Sequence, residues 1–233
     1  FPLNNAEVRF AVVEDQEQVD KLLEIREQCP QLGHIYYDDP RGLRKYDEPG
    51  LASMDELLAS GEVHAKQHPQ FFHDEVEKAQ APDVAAMFFT SGTTGLPKGA
   101  MLTQRYWLTV GRLAAAQIHD QAETVLVSQP FFYLDAQWVF LMALYQGATA
   151  YVVKKMSATH FFEWVKRYGI QFCNFPEVVS KQAERPDDAA NALKVIYCYS
   201  HRPENYAWYE RRYGCKARQG FAMTETGWAT YMP

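Results

Sequence analysis

From Glu7 the chain alternates apolar and polar residues through EVRFAVVED, a period of two that predicts a β-strand. The next stretch, DQEQVDKLLEIREQC, brings apolar residues back every three or four positions and predicts a helix, with Asp15 and Gln18 spaced much as in a capping box. HIYYDD returns to strand, so the opening segment reads as a βαβ unit. Ser53 and Glu56 repeat the capping spacing ahead of a short helix, and the polar run from Glu62 to Gln80 predicts surface helix interrupted before Pro69.

At Val84 the pattern restarts with VAAMFFT, expected as a buried strand, then a glycine-rich loop and a helix beginning near Thr103 and fading by His119. Beyond the polar break HDQAE come strand TVLVSQ, helix FFYLDAQWVFLMALYQ stopped by Gly147, strand ATAYVV, helix SATHFFEWVKRY stopped by Gly169, and strand IQFCNF. Strand KVIYCYS, helix PENYAWYERRY with Gly214 after it, and strand KARQGFA follow. Such alternation predicts an α/β fold of largely parallel sheets layered with helices, with ligands beyond the carboxyl ends of the strands. Residues 1–120 read as a first α/β subdomain ending in the glycine-rich loop and its helix, and 121–233 as a second.

Composition narrows the function. The net charge of −6 is spread along the chain, so no stripe for nucleic acid and no polybasic membrane patch stands out. No run reaches the eighteen or so apolar residues of a membrane span, and FPLNNAEV lacks the basic start and apolar core of a signal peptide. A soluble, cytoplasmic protein is expected, with no transmembrane segment and peripheral membrane contact left open. Cys29, Cys173, Cys198 and Cys215 have no CxxC spacing and are expected as buried thiols. His64 and His68 stand four apart on a polar helix, but without the glutamate of H-E-x-x-H they read as a solvated face. Because the chain starts at Phe1 and stops soon after its second motif, it is expected to be part of a longer protein.

The chemistry concentrates in FFTSGTTGLPKGAMLTQ. A strand ending at Thr90 delivers the chain into Ser91, Gly92, Thr93, Thr94 and Gly95, small residues whose backbone N–H groups and hydroxyls can converge on an anion, and Lys98 adds a point charge. Phosphate suits such a loop, yet the Walker pattern G-x-x-x-x-G-K-[ST] is absent, since Pro97 precedes Lys98 and Gly99 follows it.

TSGTTGLPKGAMLT resembles the phosphate loop of adenylate-forming enzymes, the superfamily of acyl-CoA synthetases, luciferases and peptide-synthetase adenylation domains. QGFAMTETG, Gln219 to Gly227, resembles that family's Tyr-Gly-x-Thr-Glu segment. The alternation and the stretch IYYDDPRGLRKYDEPGLASMDELL are similar to the large domain of long-chain-type acyl-CoA synthetases. The resemblance implies ATP, Mg²⁺ and coenzyme A, and an acid, fatty in type, activated to an acyl-adenylate and then captured as a thioester. It makes Lys98, Thr224 and Glu225 the catalytic candidates. Gly220, Phe221, Ala222, Met223 and Ser200 join the loop residues around the nucleotide, and Glu225 and Thr93 fall to the metal. Alternatives are transfer to a carrier-protein thiol, or nucleotide binding without turnover.

Three departures stand out. Ala222 replaces the family's glycine, YSHRPE stands where a Gly-Ala-type loop is usual, and Tyr133 takes the place of a histidine near the acyl pocket. The aromatic run Phe131, Phe132, Tyr133, Trp138 and Phe140 can line an acyl tunnel or form core, with Tyr133 the member expected to face ligand. The family's ribose-binding aspartate and its catalytic lysine, the latter on a mobile C-terminal domain, are expected downstream, so this chain alone is expected to be inactive.

Overall fold

The computed structural model describes residues 1–90, 95–118, 121–199 and 201–231. Phe1–Asp83 with Phe89–Gly99 form one compact unit, and Val84–Phe88 with Ala100–Pro233 a second.

In the first unit a short turn of helix, α1 (Pro2–Asn5), precedes β1 (Phe10–Val13), α2 (Gln16–Glu24) and β2 (His34–Tyr37). The expected βαβ unit is present, with β1 and β2 parallel and Phe10 opposite His34. Asp15 caps α2 by accepting from the Gln18 backbone N–H at 3.2 Å. β3 (Leu51–Ser53), not foreseen in the pattern, extends the parallel sheet beside β2. Ser53 and Glu56 form the full capping box of α3 (Met54–Gln67), and α4 (Phe71–Lys78) resumes past Pro69. Val19, Cys29, Leu32, Ile35 and Leu43 make up the buried core here.

β4 (Val84–Thr90) and β5 (Lys98–Thr103) form a two-stranded sheet. Two expectations need correction. VAAMFFT is a strand but not a buried one: Val84 and Ala85 are exposed and the other five residues half-buried. Lys98 to Thr103 is itself a strand, although glycine and proline around it read as loop.

In the second unit α5 (Gln104–Gln117) starts where expected, with the Thr103 hydroxyl accepting from the Tyr106 N–H. Then follow β6 (Thr124–Val127), α6 (Leu134–Gln146), β7 (Thr149–Val152), α7 (Phe161–Arg167), β8 (Phe172–Asn174), α8 (Glu177–Ser180), β9 (Val195–Tyr197), α9 (Tyr206–Tyr213), β10 (Lys216–Arg218), β11 (Gly220–Met223) and β12 (Gly227–Tyr231). α6 ends at Gly147, whose left-handed φ of 66° lets Ala148 N–H reach the Ala143 carbonyl at 2.8 Å. The segment expected as one strand, KARQGFA, divides into β10 and β11, which belong to different sheets.

The main sheet has the order β10-β9-β8-β6-β7 and every pairing is parallel. Its central strands are continuous apolar runs, as burial on both faces demands: Val125, Leu126 and Val127 in β6, Phe172 and Cys173 in β8. The chain steps from β6 to β7 on one side and then to β8 on the other, so the order reverses between β6 and β8. In such sheets that point opens a crevice at the carboxyl ends.

Trp138 of α6, 1% exposed, meets Phe172, Tyr197 and Trp228 edge-on at 5.9, 5.7 and 5.0 Å between ring centroids. Gly111 lets α5 approach α6, since a Cβ there would lie 2.9 Å from Leu141 Cβ. Arg212 is buried with Asp188, its Nε donating to Oδ2 at 2.6 Å, and three of its other N–H groups donate to the carbonyls of Ser180, Gln182 and Ala183. All four cysteines are free and buried, as expected. No helix among the described residues is long and apolar enough to cross a membrane.

Candidate active site

The glycine-rich segment joins β4 to β5. Ser91, Gly92, Thr93 and Thr94 lie outside the described residues, as does Ser200. Thr90 closes β4 half-buried, and Lys98 opens β5 exposed. Gly95 has φ 84°, and a Cβ there would meet nothing within 4 Å, so backbone conformation rather than crowding calls for glycine. Thr90, Gly95 and Lys98 belong to the first unit, and the second motif belongs to the second.

That second motif is an antiparallel hairpin, β11 and β12, joined by a turn at Thr224, Glu225 and Thr226. Gly220 is fixed by close approach: a Cβ would stand 2.2 Å from Tyr197 Oη and 2.5 Å from the Thr230 carbonyl. Alternation along β11 leaves Phe221 (57%) and Met223 (46%) exposed and Ala222 half-buried. Tyr106 of α5 anchors the turn by donating its hydroxyl to the Thr224 carbonyl at 2.9 Å. Burial, and then the negative charge of Glu225, push the Tyr106 hydroxyl up to about 12, so at neutral pH it remains the donor this contact requires. Thr224 is half-buried and Glu225 exposed, which leaves a carboxylate free to meet a cation or solvent. Among the described residues no group of three His, Cys, Asp or Glu side chains could hold a metal. One carboxylate fits Mg²⁺ only where phosphate oxygens and water complete its shell, which is that ion's usual habit at nucleotide sites.

A polar cleft of about 250 Å³ opens beyond β6, β8 and β9, lined by Gln129, Tyr133, Asp135, Asn174, Phe175, Pro176, Glu177, Tyr199 and His201. It sits at the reversal of strand order. Tyr133 is the N-cap residue of α6 and 55% exposed, so the core reading of this residue is excluded. Asp135, in the first turn, has its carboxyl raised above the ordinary range by burial, against the opposing pull of the Trp138 indole N–H and the Tyr199 hydroxyl. Asn174 follows Cys173 at the end of β8, 3% exposed, and its Oδ1 has no hydrogen-bond partner among the described residues. His201, 5% exposed, donates from Nε2 to the Phe175 carbonyl at 3.0 Å. Its Nδ1 therefore accepts from the Tyr209 hydroxyl at 2.9 Å. Burial lowers its pKa, which keeps the ring neutral in this arrangement.

Asp135, Asn174 and His201 were not picked out from the sequence, because only the strand order brings them together. A second cleft, about 300 Å³, is lined by Ala85, Ala86, Gln104, Trp107, Phe131, Gln137, Phe140 and Leu141 and is mostly apolar. The aromatic run is thus divided: Tyr133 faces the polar cleft, Phe131 and Phe140 the apolar one, and Trp138 is core.

A family model described as AMP-binding enzyme matches residues 1–233. The chain belongs to the AMP-binding enzyme family. A curated relative of this family member, the medium/long-chain-fatty-acid–CoA ligase FadD17 of Mycobacterium tuberculosis, is 32% identical over 156 residues, covering 64% of this chain and 31% of that protein. The sulfoacetate–CoA ligase of Cupriavidus necator is 31% identical over 153 residues, covering 62% of this chain and 30% of that protein. In three dimensions the chain is similar to the luciferase-like enzyme of the nonluminescent mealworm Zophobas morio, with a TM-score of 0.71, 16% identity, and coverage of 96% of this chain and 51% of that one. The α/β architecture is therefore that of the family's enzymes. The chain spans about a third of the length of the curated relatives it matches.

Proposed function

We propose that this chain is part of an acid–thiol ligase that uses ATP to activate a carboxylic acid as an acyl-adenylate and then forms a coenzyme A thioester. The observation that carries the proposal is the family match along all 233 residues, together with a glycine-rich loop and a Thr-Glu turn in the expected order. The names of the curated relatives, CoA ligases acting on different acids, support coenzyme A as acceptor over a carrier protein.

In this scheme Ser91 to Gly95 and Lys98 hold the outer phosphates, with Thr93 contributing a hydroxyl near the metal. Thr224 meets the α-phosphate, and Phe221 offers its exposed ring to the base, with Gly220, Ala222, Met223 and Ser200 close by. Glu225 supplies a hard oxygen ligand for Mg²⁺, which when bound offsets the charge of the phosphates. The acid's carboxylate is already ionised at neutral pH, so no general base is needed, and positioning and electrostatics carry the rate. A cytoplasmic location fits a ligase that draws on ATP and coenzyme A. A fatty acid as substrate is supported by the FadD17 name.

Acid-dependent exchange of labelled pyrophosphate into ATP by the full-length protein tests the proposal. Label entering ATP only when an acid is present is expected, with Glu225→Ala lowering the rate about a hundredfold. Exchange that ignores the acid, or a Glu225→Ala protein as fast as the parent, would contradict it.

A further inference from the structure

The polar cleft is built for something other than a hydrocarbon. Its wall carries two carboxylates, Asp135 and Glu177, and no lysine or arginine among the described residues that line it. His201 adds no charge, because both ring nitrogens are committed to Tyr209 and Phe175. The Asn174 carbonyl oxygen is buried and unpartnered among the described residues, an arrangement that costs free energy unless a ligand supplies the missing donor. Asp135 shares the same wall. A methyl or methylene here would leave Asn174 Oδ1 without water and without a partner, and would strip water from the Asp135 carboxylate, which keeps the contact with the Trp138 indole N–H at 3.4 Å. A second carboxylate would meet two like charges.

Size points the same way, since about 250 Å³ lies below the ~300–1,000 Å³ of ordinary small-molecule sites. A compact polar group fits a cleft of this size. The apolar walls this fold does provide, Trp107, Phe140 and Leu141, line the other cleft.

Resting on the ligase reading above, we infer that the cleft beyond β6, β8 and β9 selects a compact acid carrying a hydrogen-bond donor, a hydroxyl, amide or ammonium, at the end away from its reacting carboxylate, with Asn174 Oδ1 and Asp135 as the acceptors. The two residues determine specificity and take no part in the chemistry of adenylation. A site with acceptors in place rejects a ligand that lacks the donor far more strongly than an apolar pocket rejects one extra methylene.

The test is a set of isosteric pairs given to the full-length protein with pyrophosphate release as readout: 4-aminobutyrate against pentanoate, 4-hydroxybutyrate against pentanoate, and 4-aminobenzoate against 4-methylbenzoate. In each pair that turns over, the donor-bearing acid should have the larger kcat/KM by at least about tenfold. Asn174→Leu and Asp135→Asn should each narrow that ratio, with melting temperatures recorded to separate a lost contact from a lost fold. The wild-type ratios stand as evidence even where a variant fails to fold. Equal or better turnover of the hydrocarbon acids would overturn the inference and leave the ligase reading intact. ATP-dependent release absent with every acid would overturn the ligase reading and this inference with it. The amino group of adenine is another donor, so the same variants are assayed with inosine triphosphate in place of ATP. A change in nucleotide preference with unchanged acid ratios would assign the acceptors to the base and overturn the inference.

Discussion

Two clefts share helix α6 and are made in opposite ways. The apolar one, between Trp107, Phe140 and Leu141, is a by-product of helix packing: α5 and α6 approach closely at Gly111 and their large side chains leave a groove. The polar one collects the ends of β6, β8 and β9 and spends stability to do so, because Asn174 is buried without a partner among the described residues and Asp135 is held in surroundings that disfavour its charge. What costs folding free energy without improving packing is the better marker of a binding site. An empty groove lined by satisfied apolar side chains has no such signature.

Trp138 is the buried anchor of α6, the helix both clefts share. Trp138→Ala should destabilise the second unit by about 3–5 kcal/mol, because a large side chain with three aromatic neighbours leaves a cavity that cannot collapse. Denaturant unfolding checks this, and a loss under ~1 kcal/mol would mean that the indole does not anchor α6. On the apolar side alone, Gly111→Ala pushes a methyl against Leu141 and the Tyr145 ring and should cost about 1–3 kcal/mol. Its effect on the relative use of different acids should be negligible.

On the polar side the expected sign reverses. Asp135 has a folded pKa above its unfolded one, so the folded state binds the proton more tightly, and stability falls as pH rises through the ordinary carboxylate range toward the folded pKa. The penalty is complete above that value. Asp135→Asn should therefore raise the melting temperature at pH 7, flatten the dependence on pH above about 4, and still reduce use of donor-bearing acids. A lower melting temperature at pH 7 would make Asp135 a structural group. The smallest effect on stability is expected of Tyr133→Ala, within about 0.5 kcal/mol because the ring is 55% exposed, while the rank order of acids changes as the mouth of the cleft widens. An unchanged rank order with a large fall in melting temperature would remove Tyr133 from the site.

Much of the fold was legible because local rules and packing agree. Asp15, Ser53 and Thr103 cap the helices they precede, and Gly147, Gly169 and Gly214 adopt the left-handed φ that ends helices. Hidden elements were those whose partners lie far along the chain or whose local signal misleads. Lys98–Thr103 is a strand despite its proline and glycine neighbours, and β12 follows a motif that reads as a turn. The exposed face of β4 could not be foreseen, since an apolar run says that a strand can be buried, not what covers it.

The site divides along the same line. The Thr-Glu turn and the glycine-rich loop are contiguous, and their chemistry is written in adjacent residues. Asp135, Asn174 and His201 stand far apart in sequence and meet only because β8 and β9 lie on the opposite side of β6 from β7. Of the three, Asn174 carries a local signal, a polar residue closing the buried strand β8 after Phe172 and Cys173.

Whether the polar cleft or the apolar one receives the acid is read directly from a crystal structure of the full-length protein with a non-hydrolysable acyl-adenylate analogue of 4-aminobutyrate. The amino group is expected within hydrogen-bonding distance of Asn174 Oδ1 and the Asp135 carboxylate, with Tyr133 over the mouth. An acyl portion lodged between Trp107 and Phe140, with Asn174 Oδ1 still unpartnered, would contradict it.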